Sequence, residues 1–166
     1  MKTIEMEITL AHYFNLRQNL IVPNVYWGMG FRHELDLLVL TQSNYGYEIE
    51  IKVSKKDLIQ DTQKRHNHES NKIKYLYFAI PEKLESDIEH IPERAGIIIV
   101  RDNFKPWQRC KCKLLRKPVK NSDYKFTEIE RLKLYRLMAL RIWGLKEKIN
   151  RYQPTILPET NEDLKF

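Results

Sequence analysis

Asp36 and the tripeptide Glu50-Ile51-Lys52 are the residues of this chain whose types and spacing could do chemistry. Two carboxylates and an ammonium that converge can hold a divalent cation and meet the charge of a phosphate group. His33 to Leu40 and Gly46 to Val53 each read as a strand, and the short polar stretch Thr41 to Tyr45 between them predicts an antiparallel hairpin. With the turn centred near Ser43, Asp36 falls directly opposite Glu50. A register shifted by two residues sets Asp36 opposite Lys52 and keeps it on the same face.

Glu48, Glu50 and Lys52 alternate with Ile49, Ile51 and Val53, so the three charged residues share one face of their strand. Like charges directly opposed across a hairpin are destabilising, because their Cβ atoms stand only about 4.5–5.5 Å apart. A divalent cation removes that conflict; Mg²⁺ takes one or two protein carboxylates and keeps waters and phosphate oxygens as its other ligands. Lys52 could then orient or help deprotonate an attacking water, or offset charge on the phosphate. The competing explanation is a solvated strand face with cross-strand ion pairs.

With 166 residues the chain suits one domain with a real core, and 42% hydrophobic and 31% charged residues are ordinary for a globular protein. No apolar run approaches the roughly 18 residues of a membrane helix, and the first residues lack the apolar region of a signal peptide. The expectation is a cytoplasmic protein with no membrane partner. Cys110 and Cys112 are the only cysteines, too few for a disulfide framework and, as C-x-C, weak as a metal motif.

Charge is unevenly spread. Residues 1–100 carry 12 Lys/Arg against 14 Asp/Glu, residues 101–151 carry 16 against 5, and the tail 152–166 carries one against three. An acidic site beside a dense basic block fits a metal-dependent site on a polyanion, where cations neutralise phosphates. A solvated basic helix face is the alternative.

The elements that must position these residues follow from periodicity and caps. A helix is expected from Thr3 to about Arg17, with Ile4, Glu7, Leu10, Ala11 and Phe14 on its inner side. A strand between Asn19 and Trp27 is expected to be interrupted at Pro23-Asn24. Ser54 to Asp57 has capping-box spacing, opening a helix to about Lys64. Arg65 to Glu69 reads as a loop or frayed helix end. Strands are expected at Ile73–Ile80, Ala95–Val100 and Lys111–Leu115, the last an edge, with a short helix around Pro81–Asp87. Thr127 to Glu130 is a second capping box, opening a helix to about Asn150 with Leu132, Tyr135, Met138, Ala139, Ile142 and Trp143 facing inward. The order argues for an α/β mixed sheet with helices on both faces. One domain spans 1–151, with a core of about 3–100, a basic extension at 101–151 and an irregular tail from 152 to 166.

Asp36 followed by Glu50-Ile51-Lys52 resembles the PD-(D/E)XK nuclease superfamily, and within it the MmcB-like DNA-repair group. The likeness covers roughly residues 28–100, including Ser54, Asp57 and Asp61 after the motif, Phe78-Ala79-Ile80-Pro81 and Ala95-Gly96-Ile97-Ile98. Phe31-Arg32-His33 stands where the superfamily often has a proline before the first acid. The resemblance implies a restriction-endonuclease-like αβββαβ core and hydrolysis of DNA phosphodiester bonds in repair, recombination or mobile-element biology. It implies catalytic residues Asp36, Glu50 and Lys52, and Mg²⁺ or Mn²⁺ held by Asp36, Glu50 and the Ile51 carbonyl. Resolvase-like members draw an extra acid from the first helix, which makes Glu7 an expected outer ligand; pairing of Glu7 with a basic residue at the helix edge is the alternative.

Nucleic-acid contacts are expected from Lys64, Arg65, Lys72, Arg109, Lys111, Lys113, Arg116, Arg131, Arg136 and Arg141, on a structured or damaged duplex. Gln63 is a further candidate to reach the site. His66-x-His68 has two imidazoles for zinc but no third ligand in sequence, so phosphate contact or plain loop exposure competes. Tyr75 and Tyr77 could stack on bases or simply pack. A homodimer is allowed. Two other functions fit the same residues: a non-catalytic nucleic-acid-binding module that keeps the fold, and a small-molecule phosphohydrolase, which the basic block disfavours.

Overall fold

The computed structural model describes residues 1–26, 28–62, 68, 70–101 and 111–152. The expected contacts Lys64, Arg65 and Arg109, with Gln63, His66, Cys110 and the tail from 153, lie outside the described residues. Among the described residues six strands form one mixed sheet in chain order: β1 (Leu20–Val25), β2 (Leu35–Leu40), β3 (Gly46–Ile51), β4 (Ile73–Pro81), β5 (Gly96–Val100) and β6 (Cys112–Arg116). β1, β2 and β3 are antiparallel neighbours, β3, β4 and β5 are parallel, and β6 closes the edge antiparallel to β5. The helices are α1 (Thr3–Tyr13), α2 (Lys55–Thr62), a 3₁₀ segment (Glu82–His90) and α3 (Glu128–Tyr152). The expected α/β mixed sheet flanked by helices is what the chain forms. Among the described residues no helix is long and apolar enough to cross a membrane.

The hairpin register is the expected one. Leu37 faces Ile49, Leu38 faces Glu48 and Leu40 faces Gly46; the paired ladder stops there, and beyond it the Asp36 carboxylate takes the Ile51 N–H. Its turn is closed by Thr41 N–H donating to the Tyr45 carbonyl and by Tyr45 N–H donating to Thr41 Oγ1. Asn44 supplies the left-handed residue at φ 64°. Pro23 does not interrupt β1: the strand lies at the sheet edge, where a missing N–H can face away from the ladder.

Alternation divides the sheet into two faces. Leu37, Val39, Ile49, Ile51, Ala79, Ile98 and Val100 bury Met6 and Leu10 of α1. On the opposite face, one cluster joins Val22, Leu38, Leu40 and Ile73 to Phe126 and Leu134, and another joins Phe78, Ile80, Ile97 and Ile99 to Leu58 of α2 and Leu84. The segment expected as a basic extension thus supplies β6, Phe126 and α3 to the sheet and core.

Two helices differ from their periodicity. α1 ends at Tyr13, not near Arg17, because Asn15 turns left-handed at φ 56° and Leu16 N–H returns to the Ala11 carbonyl. Its inner face is Met6, Thr9 and Leu10, and Ile4 is exposed. α3 buries Leu134, with Leu137 and Met138 packed beside it, whereas Leu132, Tyr135, Ala139, Ile142 and Trp143 are exposed. Apolar residues surround most of α3, so spacing alone picks no face. Tertiary bonds pick it: Glu130 accepts from Lys72 Nζ (2.7 Å), Tyr124 Oη (2.8 Å) and Thr127 N–H (2.9 Å), and Arg141 donates to the Asn24 carbonyl.

This packing has two measurable consequences. A Cβ at Gly46 would lie 2.5 Å from Phe126 Cε2, so Gly46→Ala overpacks the contact; destabilisation of about 1–3 kcal/mol is expected in urea denaturation. Burial pushes the Glu130 carboxyl up, but Lys72, Thr127 and Tyr124 outweigh it and bring its pKa down to about 2. Because the folded pKa is depressed, the latch stabilises fully above the unfolded carboxylate range, near pH 4.3, and is lost as pH falls toward 2. Glu130→Gln should flatten the pH dependence of stability across that window; an unchanged slope would exclude the latch.

Candidate functional site

β3 carries its even-numbered side chains onto the face shared with α2, and there the sequence places charge. Glu48 stands between Leu38 of β2 and Leu76 of β4, and Glu50 stands beside Phe78. Glu48, Glu50 and Lys52 are at most 3% exposed. The two carboxylates therefore form a polar seam between two apolar clusters, and an ionised group there is costly unless paired.

The partners come from four other places in the chain. His33, just before β2, sets Nε2 2.7 Å from Glu48 Oε1. Lys52 Nζ donates to Glu50 Oε2 and meets Asp61 Oδ1, both at 2.9 Å. His68 sets Nδ1 2.9 Å from Glu48 Oε1 and Nε2 2.6 Å from Asp61 Oδ2. Asp36 accepts the Ile51 N–H at 2.8 Å, so this carboxylate takes the hydrogen bond of a ladder amide at the end of the hairpin. α2 delivers Asp61 because Ser54 Oγ caps the Asp57 N–H and Leu58, one turn before Asp61, is fully buried against the sheet.

Both nitrogens of His68 face carboxylates, so both must donate and the ring is an imidazolium. Burial opposes that charge, but Asp61 and Glu48 overcome it and raise the pKa to about 9. Burial likewise opposes the Lys52 ammonium, and Glu50 with Asp61 raises its pKa above the ordinary lysine value. For Glu48, burial pushes the carboxyl up but the bonds from His33 and His68 win and hold it below the usual range. Glu50 goes the other way, pushed up by burial and by the Asp36 charge against the pull of Lys52. It is the carboxylate that the surrounding cations satisfy least.

Among the described residues, His33, Glu48, Glu50 and His68 each offer a ligand atom, all within 4.8 Å of one another, and could hold a metal ion. Glu48 Oε2 and Glu50 Oε1 are buried without a hydrogen bond, which gives a cation two acceptor atoms. An ion taking His68 Nδ1 would displace its proton and leave Nε2–H on Asp61 to orient the ring. A cleft of about 280 Å³ lined by Asp61, His68, Glu89 and Glu93 meets this cluster at His68.

Of the expected site residues, the fold brings Asp36, Glu50, Ile51 and Lys52 together. Glu7 is half-buried on α1, and both burial and the charge of Asp36 push its pKa up. Neither Glu7 nor Asp36 belongs to the cluster of four. The loop exposure considered for His68 is overturned, since it is 2% exposed. Alternation shows Glu48 on the Glu50 face; Asp61 carries a fainter signal, three residues after the buried Leu58. His33 and His68 depend on loop paths that no local pattern encodes.

Several expected nucleic-acid contacts are engaged within the protein. Lys72 bridges Glu130 and the Met29 carbonyl, and Arg116 donates to the carbonyls of Ala95, Ile91 and Pro92. Arg131 donates to Asn44 Oδ1 and Tyr135 Oη, Arg141 to the Asn24 carbonyl, and Lys113 pairs with Glu85. Lys111 and Arg136 are exposed. Tyr75 and Tyr77 pack edge-on or tilted against Tyr47.

No family profile and no curated protein matches the chain. Among solved structures it is similar to the SPO1766 protein of unknown function from Silicibacter pomeroyi. The TM-score is 0.58 at 14% identity, over 84% of this chain and 88% of that one. At that identity the likeness speaks for the fold alone.

The cluster predicts its own assay. Mn²⁺ or Zn²⁺ at about 100 times its dissociation constant should stabilise the folded protein by about 2.7 kcal/mol. Glu48→Gln and His68→Asn should each remove most of the resulting thermal shift. A full shift in both variants would exclude the cluster as the binding site.

Proposed function

We propose that this chain is a divalent-metal-dependent nuclease of the PD-(D/E)XK superfamily, nearest the MmcB-like DNA-repair group, acting on structured or damaged duplex DNA. The observation that carries this reading is the buried Glu50-x-Lys52 pair on β3, joined at 2.9 Å, with Asp36 of the neighbouring strand bonded to the intervening Ile51 amide. The order α1, β1, β2, β3, α2, β4, with β4 parallel to β3, supports a restriction-endonuclease-like αβββαβ core.

The residues fit a divalent cation, and the donor set bears on which one. Two imidazoles and two carboxylates suit Mn²⁺ or Zn²⁺ better than Mg²⁺, which favours oxygen ligands. When bound, the ion supplies Lewis-acid polarisation of the phosphate and an acidified water. Asp36 fixes the end of β3 by holding the Ile51 amide. Lys52, with its pKa raised, stays protonated, so its part is to offset phosphate charge as a hydrogen-bond donor, not to act as a base.

One observation favours the alternative of a non-catalytic nucleic-acid-binding module. Lys52 and His68 already bracket Glu48, Glu50 and Asp61, so the acids have internal partners of their own. Cleavage of supercoiled and branched DNA with Mn²⁺, Mg²⁺ or Zn²⁺ separates the readings. Metal-dependent cleavage is expected, reduced about 10²–10³-fold in folded Lys52→Ala, with DNA affinity within about threefold of wild type. Absence of cleavage with all three ions, in protein shown to bind them, would leave the binding module.

A further inference from the structure

The ladder between β3 and β4 slips by one residue at its start. Gly46 faces Ile73 but Tyr47 faces Tyr75, which leaves Lys74 as the extra residue of a bulge. Bulges are uncommon between parallel strands, and they re-aim the side chain they carry. Here the Lys74 carbonyl accepts the Asn121 N–H at 2.9 Å. The Lys74 ammonium stands 3.4 Å from the centroid of the Tyr45 ring and 5.8 Å from that of Tyr75. Lys125 approaches the same Tyr45 ring at 5.3 Å. Among the described residues neither ammonium forms an ion pair, and Asp123, an acid near Lys74, is held by Lys120 at 2.5 Å.

Past the bulge, Tyr47 and Tyr77 lie on the α1 face of the sheet, across it from Glu48 and Glu50. Tyr47 meets Tyr75 at 5.2 Å and 62°, and Tyr77 at 6.2 Å and 52°. None of these ring pairs is stacked face to face, so their π-faces are not spent on one another. Tyr45, Tyr47, Tyr75 and Tyr77 are each half-buried, and among the described residues their hydroxyls make no hydrogen bond within the protein. The result is a row of part-exposed aromatic rings flanked by two lysines whose charge no carboxylate offsets.

We propose that Tyr45, Tyr47 and Tyr75, with Lys74 and Lys125, bind single-stranded nucleic acid. Bases would lie against the tyrosine rings and phosphates on the two lysines. Every base has a π-face that an aromatic side chain can meet, and unpaired ammoniums complement a phosphodiester chain. Bases must be unstacked to reach such rings, so a single strand fits the surface and a duplex does not. The surface lies on the other face of the sheet from the metal cluster and needs no metal, so the inference stands apart from the nuclease reading.

The test is fluorescence anisotropy of labelled oligothymidylate without metal, over a salt series. An abasic strand of equal length and a duplex serve as comparisons. Wild type should bind the base-bearing strand about tenfold or more tighter than the abasic one. Tyr45→Leu/Tyr75→Leu should remove most of that difference, and Tyr45→Phe/Tyr75→Phe should keep it because the rings remain. Lys74→Gln/Lys125→Gln should make the log–log salt slope shallower by about 0.7 for each phosphate no longer neutralised. Equal wild-type affinity for the base-bearing and abasic strands would overturn the proposal without reference to any variant. Tighter binding of the duplex would also overturn it. So would displacement of the strand by poly-glutamate of equal charge, which would mark a surface for acidic peptides. Ring-dependent binding of the single strand would support the proposal even if no metal yields cleavage, and cleavage without such binding would leave the nuclease reading standing alone.

Discussion

Burial of charge on β3 is the constraint on which the rest of the structure depends. Alternation fixes Glu48 and Glu50 on a sheet face that is apolar to either side, and neither can reach bulk water. A carboxylate in that setting is tolerated only where cations and hydrogen-bond donors surround it. Those groups come from the start of β2, the end of β3, α2 and the segment after α2. Positioning the site and completing the fold are therefore one problem.

The connection shows in the placement of α2. Leu58 anchors the helix to Phe78, Ile80 and Ile97, and one turn later Asp61 meets both Lys52 and His68. Lys55 at the first turn reaches Asp87 in the 3₁₀ segment, which ties that segment to α2. An apolar residue and a carboxylate three positions apart thus do different work on one helix face. The first supplies the attraction to the sheet, and the second closes the charge network that the sheet would otherwise leave unbalanced. Asp36 extends the same logic to the backbone, since its side chain takes the amide of Ile51 where the ladder ends.

How much of this is legible in the sequence depends on whether a local pattern encodes it. The hairpin register follows from period-two alternation about a five-residue polar turn, and the helix starts follow from Ser54 and Thr127 as caps. Glu50, Lys52 and Asp36 come from the same patterns. The inner face of α3 does not, because its apolar residues surround the helix and Glu130 and Arg141 choose the orientation through tertiary bonds. His68 is the extreme case. Its neighbours in sequence are polar, yet its ring lies edge-on to Phe78 and bridges two carboxylates. Burial there is set by the acids it neutralises and not by any hydrophobic period.

The same network explains how the acids can be held in the core and still leave acceptor atoms that an ion could use. Glu48, Glu50 and Asp61 bring three negative charges, and Lys52 with protonated His68 brings two positive ones, before His33 is counted. The shortfall falls on Glu50, which faces Asp36 and whose pKa rises accordingly. It also appears as geometry, because Glu50 Oε1 and Glu48 Oε2 are buried without hydrogen bonds. A set optimised for stability alone would satisfy those atoms or replace them with apolar side chains, since a half-satisfied buried network is worse than a packed core. A cation entering the cluster would recover that cost by engaging these two oxygens while displacing a proton from His68. The incomplete charge balance among the side chains is therefore a physical basis on which the cluster could hold an ion.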